Sequence, residues 1–180
     1  MARYNTVSIG FHWLIALMIF CMFPLGVYMH ELPFSPQKLQ YYSWHKWAGV
    51  SVFLLALLRI LWRITHQPPP PLPMPRWQHR AAESVHHLLY ALIVLIPVSG
   101  WLMSSALGFQ TVWFGKLPLP DLLDKNEALG ETLKLVHKFF NISLLALVLL
   151  HVAAALKHQF VERDGLLSRM NPFTRAKETQ

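Results

Sequence analysis

Ten histidines occur among the 180 residues, and six of them sit in or beside long uncharged runs. An ionisable side chain in lipid is costly and marks a functional candidate. By depth, these six form two groups. His12, His86, His87 and His151 fall in one leaflet, and His45 and His137 in the other. His137 and His151 lie on one apolar run, 14 positions apart. In a helix that is about 21 Å, and about four turns return to nearly the same face. One helix thus offers an imidazole to each leaflet. Neutral imidazole is a normal axial ligand for haem iron, and two from facing helices clamp a haem between them.

Other chemistry fits less well. Structural zinc wants four clustered ligands. A proton relay wants carboxylates inside the spans, where none occur. Cys21 is the single cysteine, so the chain forms no internal disulfide and has no Cys-x-x-Cys-His haem attachment motif. Bound haem is therefore expected to be non-covalent and b-type. In the outer layer, depth pairs His45 with His137. In the inner layer His151 has three candidate partners: His12, His86 and His87. Gly26, Gly49 and Gly100 would let a macrocycle or a neighbouring helix approach. Arg59 and Arg63 suit either haem propionates or headgroups. His30, His66, His79 and His158 are expected in ordinary surface roles.

The elements that must position these side chains are membrane helices. Hydrophobic residues make up 54% of the chain and charged residues 14%, far less charge than a soluble domain carries. Four runs, at about 9–29, 42–64, 84–106 and 133–157, reach the roughly 20 residues needed to cross a bilayer. Backbone polar groups in lipid must be satisfied within the segment, so each run is helical. The prolines between Gln67 and Pro75 make a stiff extended link. The later half of the connection at 107–132 is expected to form a short amphipathic helix. Pro97 is expected to kink the third span. The expectation is one domain, 1–180: an all-α, up-down-up-down four-helix integral membrane bundle. Arg3 precedes the first apolar run, but no small-residue cleavage site follows it, so the run is read as a span.

The net charge of +7 flanks the apolar runs and makes no nucleic-acid motif. Ten of the 16 Lys and Arg residues fall on the side of the termini, Arg175 and Lys177 among them. The six on the other side are lysines, nearly cancelled by Glu31, Asp121, Asp124, Glu127 and Glu131. The basic count predicts both termini in the cytoplasm. Trp13, Trp44, Trp47, Trp62, Trp101 and Trp113 fall near span ends, as interfacial tryptophans do.

Several stretches together resemble the bacterial cytochrome b561 family. They are Gly10-Phe11-His12-Trp13-Leu14, His45-Lys46-Trp47-Ala48-Gly49, Arg59 to Arg63, His86 through Tyr90 to Pro97 and Gly100, His137, and Leu150-His151-Val152-Ala153-Ala154-Ala155-Leu156-Lys157-His158. The resemblance runs from about Tyr4 to Pro172. It implies two b haems stacked across the bacterial inner membrane, with His12, His45, His137 and His151 as axial ligands. It gives His86 a secondary role toward a propionate or a quinone. It further implies electron exchange with membrane quinone, with superoxide as a candidate periplasmic donor. Two rivals stand beside this reading. One is a haem-bearing membrane anchor passing electrons to or from a partner dehydrogenase or hydrogenase. The other is a small transport or structural membrane protein without redox chemistry.

Overall fold

The computed structural model describes residues 3–173. Arg175 and Lys177, counted in the charge balance, lie outside them. Four long helices make up most of the chain: α1 (Thr6–Glu31), α2 (Pro36–Thr65), α3 (Arg76–Ala106) and α4 (Glu127–Lys157). Each is long and apolar enough to cross a membrane. The chain is an all-α transmembrane four-helix bundle.

Local signals place the helix starts. The Asn5 side chain accepts from the Ser8 N–H at 2.8 Å. The Ser35 hydroxyl accepts from the Lys38 N–H at 3.2 Å, with Pro36 at the first helical position. The Asn126 side chain accepts from the Leu129 N–H at 3.0 Å. Each side chain satisfies a backbone donor that has no partner within the helix. The proline link ends at Pro75, immediately before α3. Helix α3 runs without a break through Pro97.

The third connection departs from the sequence expectation. It forms no separate amphipathic helix. Residues from Glu127 onward belong to α4. The earlier part is a two-stranded hairpin, β1 (Val112–Trp113) with β2 (Leu117–Pro118). Gly115 turns it at φ 67°, a left-handed conformation that glycine adopts without steric cost. Beyond Lys157 the chain continues as a single π turn, His158–Glu162, followed by a short 3-10 turn, Leu167–Met170.

Successive helices pack side by side, α1 on α2, α2 on α3 and α3 on α4. Helix α4 makes no comparable packing on α1 or α2. The buried apolar core gathers Ala56, Leu92, Ile93 and Leu144. Leu144 lies seven positions from both His137 and His151, so the core separates the two histidine layers. Five indole N–H groups are tied to fixed acceptors. Trp13 donates to the Met170 carbonyl, Trp47 to Val112, Trp62 to the Asn5 side chain, Trp101 to Pro120 and Trp113 to Trp47. Tryptophans expected only as interfacial anchors also fasten the loops and the chain ends to the bundle.

A histidine site in two layers

The inner layer gathers residues from all four helices. The His12 ring (α1) lies 6.3 Å from the His151 ring (α4), centroid to centroid. His86 (α3) lies 5.5 Å from His151. His12 and His151 are half-buried, whereas His86 and His87 are exposed. Arg59 (α2) places Nη2 3.3 Å from His12 Nδ1 and its guanidinium over the Tyr90 ring at 5.2 Å. Guanidinium only donates, so His12 Nδ1 accepts this bond. Arg63 lies over the Tyr4 ring at 5.8 Å.

In the outer layer, His45 (α2) stands against Gly26 of α1, and His137 (α4) against Gly100 of α3. His45 and His137 are half-buried. Small residues leave room for both rings. A Cβ built on Gly26 would stand 3.4 Å from His45 Cε1, and one on Gly100 would stand 3.2 Å from His137 Cε1. Any larger residue at position 100 would crowd the imidazole. Gly49, by contrast, faces Met22 and serves helix packing.

The two outer imidazoles differ in their hydrogen bonds. His137 Nδ1 lies 3.1 Å from the Ile96 carbonyl oxygen and 2.9 Å from the Ser99 hydroxyl. A carbonyl only accepts, so Nδ1 carries the proton and Nε2 keeps its lone pair. His45 Nδ1 is buried and has no hydrogen-bond partner among the described residues. A buried polar atom left unpaired is costly and asks for an explanation.

The connection between α3 and α4 is fastened to α2 beside His45. Lys46 donates to the Phe109 carbonyl at 2.9 Å, and Trp113 donates to the Trp47 carbonyl at 3.2 Å. Of the lysines on the side of the bundle opposite the termini, Lys38 is committed to the His30 and Leu32 carbonyls and Lys134 to Glu131.

The remaining histidines lie apart from both layers. His30 pairs with Glu31 and His79 with Glu83, while His66 stacks on Trp62. His158, expected on the surface, is half-buried between Glu162 and Asp164. Sequence reasoning missed Ser99 and the Ile96 carbonyl as partners of His137. The available signal was a serine beside Gly100 within an otherwise apolar run.

The donor set fits haem. It offers imidazoles at two depths, glycines opposite the outer rings, and one helix carrying a histidine to each layer. Residues 3–173 match the prokaryotic cytochrome b561 family. The chain is 34% identical over 176 residues to cytochrome b561 homolog 2 of Escherichia coli (strain K12), covering 93% of this chain and 90% of that relative. It is 29% identical over 175 residues to the probable superoxide oxidase CybB of Yersinia pestis, covering 94% and 96%. It is 25% identical over 174 residues to cytochrome b561 homolog 1 of Escherichia coli (strain K12), covering 96% and 98%. A four-helix membrane bundle, imidazoles in both leaflets and a family match along nearly the whole chain lead to one conclusion: the chain belongs to the prokaryotic cytochrome b561 family, multi-pass inner-membrane cytochromes that bind haem and transfer electrons.

Proposed function

We propose that the chain moves electrons across the inner membrane through two non-covalent b haems, one held by His45 and His137 and the other by His12 and His151. The observation that carries this reading is the placement of two imidazoles on α4, 14 residues apart, with the half-buried His12 ring 6.3 Å from that of His151. When bound, haem supplies an iron that cycles between the ferric and ferrous states. The protein supplies ligation, burial and the local field.

Ring proximity and burial support the inner assignment: the half-buried His12 and His151 rings lie 6.3 Å apart, while His86, 5.5 Å from His151, is exposed. His86 is left to a secondary role toward a propionate or a quinone. At His12, ligation through Nε2 requires the proton on Nδ1, which Arg59 cannot accept. Arg59 must then release the ring, and its guanidinium becomes available to a propionate carboxylate.

His12 with His151, and His45 with His137, would hold the two haems, which would supply electron transfer without a substrate bound to the metal. Quinone is the membrane partner, and superoxide is the periplasmic donor, with both termini in the cytoplasm. The basic-residue count supports the orientation, and the name of the Yersinia pestis relative supports the donor. No protein nucleophile or general acid takes part. The test is redox titration of purified holoprotein with ubiquinol, menaquinol and superoxide offered in turn. Reduction by superoxide followed by reoxidation with a quinone is expected. Failure of all three to exchange electrons with the protein would overturn the assignment of partners.

A further inference from the structure

The outer imidazoles are unequal, and α3 makes them so. Ser99 is buried, with 4% of its surface exposed. Its hydroxyl lies 2.8 Å from the Ile96 carbonyl and 2.9 Å from His137 Nδ1. The hydroxyl hydrogen is used on that carbonyl, which leaves an oxygen lone pair for the His137 N–H. Nδ1 therefore points its single proton at two acceptors, the Ser99 oxygen and the Ile96 carbonyl oxygen at 3.1 Å. Gly100, on the next residue, leaves the space the ring occupies. One turn of α3 thus fixes the tautomer, the orientation and the polarisation of one imidazole. Across from it, His45 Nδ1 has no such partner among the described residues.

We infer that Ser99 is a positioning residue: with the Ile96 carbonyl it makes His137 the stronger electron donor of the outer pair and holds that centre's reduction potential below what an unbonded imidazole would give. This rests on the reading of His137 as a haem ligand. The physical link is that acceptors on the far ring nitrogen raise imidazole basicity. A more basic axial ligand favours ferric over ferrous iron, and hydrogen bonding is one of the levers that set the potential.

The test uses full-length holoprotein purified in detergent. His137→Ala identifies which component of the redox titration, and which low-temperature spectral band, belongs to the outer centre. Ser99→Thr and Ser99→Val then differ in little besides the hydroxyl, and Ser99→Ala removes it without adding bulk. The Val and Ala variants are expected to move the assigned component upward in potential and to shift its low-spin ferric resonance, with the other component unmoved. Thr is expected to stay near the parent protein. Loss of the outer haem in Val and Ala but not in Thr supports the same inference, since only the hydroxyl separates them. Equal behaviour of Thr and Val overturns it, whether both shift or neither does, because packing alone then decides. Two haems retained in His137→Ala would overturn the ligand reading itself, a result distinct from an unmoved Ser99 series.

Discussion

Replacing Gly100 with Ala separates helix stability from the needs of the site. The new methyl would stand 3.2 Å from His137 Cε1 and 3.5 Å from Nδ1. Carbon atoms pack best at about 3.5–4.0 Å, so the ring must retreat by a few tenths of an ångström or more. It is held by bonds of 2.9 Å to Ser99 and 3.1 Å to Ile96. Such a retreat takes both to the weak end of hydrogen-bond lengths, near about 3.2 Å and beyond. Overpacking costs about 1–3 kcal/mol, against a gain of about 1 kcal/mol for alanine over glycine in a helix. The net is a destabilisation of roughly 0–2 kcal/mol, too small to unfold a membrane bundle but focused on one imidazole. Gly10→Ala is the control, since a Cβ there meets nothing within 4 Å and only the helix gain remains. Haem content by pyridine haemochrome and thermal melting followed in the visible band should divide the two. Gly100→Ala is expected to lose or perturb one haem component and spare the other, while Gly10→Ala melts at or slightly above the parent. Unchanged spectra in Gly100→Ala would refute the claim that this glycine makes room for a working imidazole.

Three further outcomes are expected. His12→Ala should lose the inner haem and keep the outer one, while His86→Ala should keep both, with altered potential or quinone activity; haem count and low-temperature spectra read this, and the opposite pattern would exchange the two roles. A compartment-sensitive reporter fused after Gln180 should work only where the cytoplasm is its active side, and periplasmic activity would reverse the orientation. Reduction by superoxide should slow as ionic strength rises, because lysines at the periplasmic mouth attract the anion. Lys38 and Lys46 donate to neutral carbonyls and keep their charge, while Lys134 pairs with Glu131, so a strong slope is expected, and a rate indifferent to salt would remove the steering role.

What the sequence made legible follows from how each feature is encoded. The four apolar runs and the spacing of His137 and His151 are linear patterns, and one helical period converts them into depth and facing. The family was legible for the same reason, since its motifs keep their order along the chain. Two signals present in the chain went unread. Ser35-Pro36 caps α2 several residues before its apolar stretch, and Asn126 starts α4 where a separate amphipathic helix was expected. Other features have no linear signature. The bond from His137 to Ser99 depends on how α3 and α4 are rotated against each other, and the Arg59 contact to His12 on the same for α1 and α2. The hairpin at Val112–Pro118 is only two residues per strand, below the length at which alternation can be read.

The proposed electron path requires two haems per chain, each between two imidazoles. Its most direct test is the haem-to-protein ratio of the purified full-length chain, taken together with the electron paramagnetic resonance of the ferric state. A ratio near two is expected, with complete extraction into acidic acetone and two low-spin signals without a high-spin component. A ratio near one, or a high-spin signal from an iron with an open position, would contradict it.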